Sequence, residues 1–286
     1  MRRPLLVRRC GSLICLIGLG FLVGGLAGCT RHEAEPAPAV GPQRVQEFTN
    51  SLGMRMVRLE SADFLVGRRQ SRLREQDSHL EKLRQVRIDG PFYIAATETT
   101  RAQYAAHMKA KGAAPTLDRV ENIVGEKSGG DLPVNYVSWE DAVSFCKWLS
   151  DVENRRYRLP TCAEWEYACY ACDRSASGTE KLTPLGDYAW YRGNAGRNGV
   201  HPVASKRPND VGLFDMLGNV WEWCADIVPA SVVDGTPPFK GRVCAFCRGG
   251  AYFNSEESCN CSSAYAFNPI DYRAEGLGFR VVCEGY

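Results

Sequence analysis

Short apolar runs alternate with polar residues in two segments that follow the N-terminal region of the chain. This pattern is found at residues 54–67 and again at 86–94, and it predicts β-strands, because alternation places one face of a strand against a core. Residues 70–83 are strongly charged and predict a loop or a frayed helix. Residues 111–132 are glycine-rich and predict a surface excursion. From Asp173 onwards glycine, proline and asparagine recur every few residues, so strands there should be short.

Three helix starts are marked by side chains that can cap a helix N-terminus. A hydroxyl at the cap and an acidic or amide side chain three residues later each accept a hydrogen bond from a backbone N–H group that has no partner within the helix. The pairs are Thr100 with Gln103, Ser138 with Asp141, and Thr161 with Glu164. The second predicted helix has Ala142, Phe145, Cys146 and Leu149 on one face, which is the spacing of a buried face.

The N-terminus has the pattern of a bacterial export signal. A basic start precedes an apolar stretch over residues 13–26, which is shorter than the roughly 20 residues of a membrane-spanning helix. The stretch ends at Leu26-Ala27-Gly28-Cys29, a pattern that resembles a lipobox, in which cleavage leaves a cysteine that carries lipid. We predict a signal peptide over residues 1–28 and lipidation of Cys29. The alternative is an ordinary signal peptide with an incidental cysteine.

Composition divides the remaining chain into two parts. Residues 29–46 are rich in proline, alanine and glutamate and predict a flexible tether, whereas residues 47–286 are long enough for one domain with a substantial core. The protein is therefore expected to be exported and anchored to a bacterial envelope membrane, with membrane lipid as a partner through Cys29. The net charge is +2 without a basic stripe, which argues against nucleic acid as a partner.

The cysteines are concentrated in the second half of the chain. Of 13 cysteines, ten follow Cys29, and all ten lie at or after Cys146. Exported proteins meet oxidants, so we expect most of these cysteines to pair, although spacing alone does not fix the connectivity. Two C-x-x-C pairs also have the spacing of a zinc site, but an oxidising compartment favours disulfides. These pairs are Cys169 with Cys172 and Cys244 with Cys247.

An ordered set of motifs resembles the formylglycine-generating enzyme (sulfatase-modifying factor) superfamily. The motifs are residues 137–142 (VSWEDA), 158–168 (RLPTCAEWEYA), 212–223 (GLFDMLGNVWEW), 248–252 (RGGAY) and 278–280 (GFR), together with 50–54 (NSLGM) and 97–100 (TETT). The resemblance spans about residues 48–283, which is nearly the whole chain after the predicted signal peptide and tether. It implies an α+β fold, a variant of the C-type-lectin-like fold with little regular secondary structure, and the cysteines lead us to expect it to be stapled by disulfides.

The resemblance also implies a catalytic centre that this chain has only in part. In active members a cysteine pair binds copper(I), and the enzyme uses the metal and oxygen to convert a sulfatase cysteine to formylglycine. The first cysteine position is Asn254 here, the second is Cys259, and the expected serine is Ala251. An amide oxygen is a hard ligand and copper(I) a soft metal, so the incomplete pair argues against copper. Cys261 is an alternative second ligand.

Two disulfides are implied by the same resemblance, Cys169–Cys261 and Cys146–Cys283. The first bond gives Cys261 a structural role, which is the interpretation that we favour over a metal ligand. Cys259 then either pairs with an additional cysteine or remains a reactive thiol.

The resemblance implies calcium near the Gly-Asn-Val-Trp-Glu-Trp motif. The candidate ligands are Asn219, Val220 and Glu222, whose side-chain and backbone oxygens suit a hard cation. The alternative is that Asn219 and Glu222 satisfy buried backbone groups beside two indoles. Asn194 matches part of a second calcium site, but the carboxylate expected after it is missing. Five tryptophans are predicted to be core residues and not a sugar-binding platform: Trp139, Trp148, Trp165, Trp221 and Trp223.

Two functions are consistent with this sequence. One is an oxidoreductase that acts on a protein or small thiol through Cys259, with exported sulfatases as the natural substrates. The other is a non-catalytic module that binds or organises envelope proteins on the same scaffold. Asn254 and Ala251 favour the second function, and a disulfide at Cys259 would nearly exclude the first.

Overall fold

The computed structural model describes residues 46–67, 84–112, 129–170, 184–197, 199–229, 242–262 and 264–285. The predicted signal peptide, the lipidation site at Cys29 and nearly all of the tether lie outside the described residues. The same holds for the charged segment 70–83, for most of segment 111–132 and for Cys172. Within the described ranges, none of the helices combines the length and the apolar character that a membrane crossing needs.

Eleven short strands account for the sheet structure of the described residues. They are β1 (Glu47–Thr49), β2 (Arg55–Leu59), β3 (Ala62–Val66), β4 (Arg84–Ile88), β5 (Phe92–Ala95), β6 (Tyr157–Arg158), β7 (Trp221–Pro229), β8 (Val243–Arg248), β9 (Ala264–Pro269), β10 (Leu277–Gly278) and β11 (Val282–Glu284). One antiparallel sheet has the order β1-β2-β5-β11-β6, a second has the order β10-β7-β8-β9, and β3 pairs with β4. The described fold is α+β with little regular structure, as the resemblance implied.

The prediction of one strand over residues 86–94 is wrong. The chain turns at Asp89-Gly90, where Gly90 has a φ of 69°, and Pro91 follows without a backbone donor. As a result β4 pairs with β3, whereas β5 pairs with β2 and β11 in a different sheet.

All three predicted helices form. They are α1 (Arg101–Ala110), α2 (Trp139–Glu153) and α3 (Cys162–Tyr170). At α1 and α2, Thr100 and Ser138 make reciprocal capping boxes with Gln103 and Asp141. At α3 the Thr161 Oγ1 accepts from the Glu164 backbone N–H at 3.1 Å, and the Glu164 side chain accepts from the Thr161 N–H at 2.8 Å. These bonds fix where each helix begins.

The core consists of two apolar clusters that hold the predicted tryptophans. Trp223 lies in one with Phe145 and Phe279, and Trp165 lies in the other, which also contains Ile94. Trp221 is also buried, and Trp139 and Trp148 pack against the first cluster from partly buried positions. The prediction that the tryptophans are core residues is therefore confirmed. Burial of each large aromatic side chain stabilises the fold by roughly 1.5–3 kcal/mol.

Candidate functional site

The loop that carries Cys259 packs directly on the end of strand β8. Gly249 and Gly250 follow the strand with φ values of 97° and 87°, a region that favours glycine. A Cβ on Gly250 would lie 2.7 Å from the Cys259 Sγ, so only glycine lets the two segments approach this closely. Cys259 follows a short 3₁₀ helix (Glu256–Ser258), and its side chain is buried beside Ala251.

Asn254, at the position of the missing cysteine, holds this loop together. Its Oδ1 accepts a hydrogen bond from the Ala251 N–H at 2.8 Å, and its own N–H donates to the Ala251 carbonyl at 2.9 Å. Its carbonyl in turn accepts from the Arg192 N–H at 2.9 Å. The amide oxygen at this position therefore closes a turn on the Ala251 backbone.

Cys259 is a thiol in the structure, so it has neither of the partners that a disulfide or a cysteine pair would give it. Burial raises the pKa of Cys259 to about 12, which keeps the sulfur protonated at neutral pH. Cys261 is bonded to Cys169, so the predicted Cys169–Cys261 disulfide is present and Cys261 has the structural role. The side chains at this site offer one thiol where copper(I) needs two, and they do not fit that metal.

The predicted pairing of most cysteines does not hold for the described residues. Cys146 and Cys283 both carry thiols, so the predicted Cys146–Cys283 bond is absent. The Cys283 Sγ instead donates to the Glu284 carbonyl at 3.7 Å, and it lies with Cys146 in one apolar cluster without being bonded to it. Cys244 and Cys247 are also thiols, packed within strand β8 as small apolar side chains.

Glu222 and Asn219, the candidate calcium ligands, lie in a fully buried polar network. Both Glu222 oxygens accept hydrogen bonds from the Arg280 guanidinium at 2.6 Å, and the Trp165 indole N–H donates to one of them at 2.6 Å. The Asn219 Oδ1 accepts from the His201 N–H at 2.9 Å. These contacts match the alternative interpretation, in which both side chains satisfy buried groups.

Two carboxylates of this network, Glu98 and Asp215, were not among the predicted site residues. Glu98 accepts from the Asn219 amide at 2.8 Å and from the Val220 N–H at 3.1 Å. Asp215 accepts from the Ala204 N–H at 2.7 Å through one oxygen, and its other buried oxygen has no hydrogen-bond partner within the described ranges. Burial raises the pKa of Asp215 to about 6 and raises that of Glu98, with repulsion among the carboxylates adding to both. Both residues lie in motifs that carry the resemblance, so the motifs were the signal available for them.

Asn194, the weaker calcium candidate, caps a local turn. Its Oδ1 accepts from the Tyr191 N–H at 2.9 Å, and its amide donates to the Ala189 carbonyl at 2.9 Å. Across the described ranges, no three His, Cys, Asp or Glu side chains converge in a way that could hold a metal ion. Asp215, unlike Asn194 and Asn219, has a side-chain oxygen that lacks a hydrogen-bond partner among the described residues.

Comparisons with known proteins agree with the motifs. The chain is 30% identical to a formylglycine-generating enzyme of Streptomyces coelicolor, over 86% of this chain and 92% of that one. It is 31% identical to a protein named chaperone protein LppX from Paenibacillus barcinonensis, over 65% of this chain and 76% of that one. The solved structure of PvdO from Pseudomonas aeruginosa superposes with a TM-score of 0.68 at 25% identity, covering 85% of this chain and 100% of that one.

The family model for the sulfatase-modifying factor enzyme 1-like domain matches residues 42–284. This range includes the Cys259 loop, the Glu222 network and all three helices. The chain therefore belongs to the sulfatase-modifying factor, or formylglycine-generating enzyme-like, family.

Proposed function

We propose that this protein is a non-catalytic member of its family, a module that binds other proteins of the bacterial envelope without oxidising them. The observation that carries the proposal is Asn254. Its side chain closes a turn on Ala251 at the position where the catalytic pair needs a thiol. The remaining thiol, Cys259, is buried and protonated, so it is neither an accessible nucleophile nor half of a copper pair.

The surface next to this loop suits protein binding. Tyr252 and Phe253 follow Ala251, with their rings packed edge to face at 5.1 Å, and Phe253 is 43% exposed. Exposed aromatic side chains on a well-packed loop are typical anchors of protein interfaces. A relative named as a chaperone supports a role in which the scaffold holds another protein. Exported sulfatases are the first partners to test.

The decisive experiment compares oxidation by the wild type and by a repaired variant. A Cys-x-Pro-x-Arg sulfatase peptide is incubated with the full chain, copper(I) and oxygen, and mass spectrometry detects the aldehyde. We expect no conversion by the wild type, with a formylglycine-generating enzyme as positive control. Asn254→Cys with Ala251→Ser restores the second thiolate and should bind copper(I), and Asn260→Cys is the matched control for a cysteine added nearby. Conversion by the wild type would disprove the proposal.

Binding is tested separately on the exposed ring. Phe253→Ser should weaken binding of the same sulfatase peptide at least about tenfold, since a buried aromatic anchor contributes 1.4 kcal/mol or more. Tyr272→Ser is the control, because Tyr272 is equally exposed and lies on another turn. Equal binding by the wild type and both variants would show that this ring is not the contact.

A second candidate is oxidation of a protein or small thiol through Cys259. It is favoured by the observation that Cys259 is a thiol and not part of a disulfide. In this case the wild type would consume oxygen with a thiol substrate, and Cys259→Ser would abolish the reaction while Cys244→Ser would not.

Membrane anchoring through lipid on Cys29 is also part of the proposal. A lipid chain on Cys29 would place the domain at an envelope membrane, where exported partners fold. Cys29→Ser should move the protein from the membrane fraction to the soluble fraction, and retention at the membrane would disprove lipid anchoring.

A further inference from the structure

Two buried cysteines lie side by side where helix α3 meets strand β7. Cys162 is the first residue of α3 and Cys224 lies on β7, and both side chains are almost completely shielded from solvent. The Cys224 Sγ donates to the Glu222 carbonyl at 3.9 Å, and burial raises the pKa of Cys224, with the neighbouring Cys162 side chain adding to the rise. The family resemblance assigns neither of them a partner, and both are thiols in the structure.

The main chain next to each of these two cysteines is held in place by a hydrogen bond. The Ala225 N–H donates to the Pro160 carbonyl at 2.8 Å, which ties the residue after Cys224 to the segment that precedes α3. The Cys162 N–H donates to the Asp226 carboxylate at 2.6 Å. These two bonds hold the main chain beside Cys162 next to the main chain beside Cys224, which is the proximity that a disulfide needs.

A third thiol competes for Cys162. Cys247 lies opposite Trp223 on the neighbouring strand β8, and burial raises the pKa of Cys247, with the nearby Cys162 side chain as a second cause. The Cys247 Sγ also accepts from the Asn268 amide at 3.8 Å. The two main-chain contacts, from Ala225 to Pro160 and from Cys162 to Asp226, join the segments that carry Cys162 and Cys224, and they select Cys224 as the partner.

We propose that Cys162 and Cys224 form a second disulfide of this domain, which joins helix α3 to strand β7. Each thiol loses one proton and one electron, and the S–S bond forms. A small disulfide oxidant takes up the two electrons and two protons and is reduced to two thiols. The bond closes the loop over residues 162–224 and stabilises the fold by restricting the unfolded chain. The inference does not depend on whether the domain is catalytic.

Disulfide mapping of the full chain tests the proposal. The protein is refolded with oxidised and reduced glutathione, its free thiols are alkylated, and it is digested without reductant by trypsin and a Glu-specific protease. Cleavage at Glu164 and Glu166 separates Cys162 from Cys169. We expect a Cys162–Cys224 peptide beside the Cys169–Cys261 peptide, which is the internal control. Alkylation of both Cys162 and Cys224 in protein that contains the control bond would overturn the proposal, and so would a Cys162–Cys247 peptide.

A stability measurement provides a second test. Dithiothreitol should lower the Tm of the wild type by about 5–10 °C more than it lowers the Tm of Cys224→Ala, which retains only the Cys169–Cys261 bond. Cys244→Ala is the matched control, since Cys244 is an equally buried cysteine of the adjacent strand, and it should respond like the wild type. Equal responses from all three proteins would contradict the proposal. The mapping on wild-type protein remains decisive if a variant does not fold.

Discussion

Asp215 is the residue at which the buried charges are least balanced. Glu98, Asp215 and Glu222 share one cation, Arg280, and one oxygen of Asp215 has no partner among the described residues. Burial is the main cause of the raised pKa, because a carboxylate without enough donors loses its hydration and gains little in return.

This imbalance predicts a pH dependence of stability. The pKa of Asp215 is about 6 in the folded protein, above its ordinary value of 3.8, so the folded state holds the proton more tightly. Stability from this group is present below pH 3.8 and is lost as the pH rises towards 6, by about 3 kcal/mol in total. Asp215→Asn should reduce the difference in unfolding free energy between pH 4 and pH 7, measured by urea denaturation, by about 2 kcal/mol, because pH 4 is already slightly above 3.8. An unchanged difference would show that other groups in the folded protein balance the charge of Asp215.

The Asp215 oxygen that lacks a hydrogen-bond partner among the described residues is a specific candidate ligand for the predicted calcium ion. An ion bound at the Asp215 oxygen would supply the positive charge that the network lacks above pH 6. Millimolar calcium should then raise the Tm at pH 7 in the wild type but not in Asp215→Asn, and magnesium should have a smaller effect. Equal thermal shifts in both proteins would place any bound calcium elsewhere.

The sequence identifies this network only in part. The motif around Glu222 indicated a polar site, and the buried-group interpretation matches its contacts with Trp165 and Arg280. Glu98 could not be assigned from spacing. It accepts a hydrogen bond from the backbone N–H of Val220, which lies 122 residues further along the chain. Burial of a carboxylate is a property of the whole fold, and a local pattern cannot show it.

At the scale of elements, helix α2 owes its start to two side chains. The Ser138 Oγ accepts from the Asp141 N–H at 3.1 Å, and Asp141 accepts from the Ser138 N–H at 2.9 Å. The Arg273 guanidinium also donates to Asp141 at 2.7 Å, which links the helix to the turn after strand β9. The pKa of Asp141 is lowered by these bonds in spite of its partial burial.

Removing this cap should cost measurable stability. Asp141→Ala loses the capping bond and the Arg273 pair, and we expect a loss of about 1–2 kcal/mol in the free energy of unfolding. Asp151→Ala on the same helix removes only an exposed ion pair with Lys147 and should cost less than about 0.5 kcal/mol. Similar losses in urea denaturation would mean that the cap does not stabilise the helix.

Helix starts were predictable because capping is local, whereas strand pairing was not. Thr100, Ser138 and Thr161 each act within three residues of themselves, so their pattern is complete in the sequence. The single strand predicted over residues 86–94 failed because the turn at Gly90 sends its two halves to different sheets. Alternating apolar residues indicate a strand but carry no information about its partner.

At the scale of the whole molecule, distant segments are joined at the sheets and at the Cys259 loop. Strand β11 inserts between β5 and β6, so the end of the chain completes a sheet that begins at Glu47. The Cys169–Cys261 disulfide joins helix α3 to the loop that carries Cys259 across 92 residues. Only the family resemblance predicted this bond, since cysteine spacing allows many connectivities.

The disulfide should control access to Cys259. Cys259 is 3% exposed and its sulfur is protonated, so maleimide should modify it slowly in the native protein. Replacing Cys169 and Cys261 together with serine releases the loop from helix α3 without leaving a new thiol. A local opening that is easier by about 1.4 kcal/mol would speed modification of Cys259 about tenfold.

Peptide mapping of timed maleimide labelling measures this rate at Cys259 alone. Cys244→Ser is the control, because it removes a buried thiol from strand β8 and leaves the disulfide intact. Equal labelling rates in the double variant and the wild type would mean that the Gly250 contact alone keeps Cys259 buried. A faster rate in the double variant only would show that helix α3, distant in sequence, keeps this thiol away from solvent.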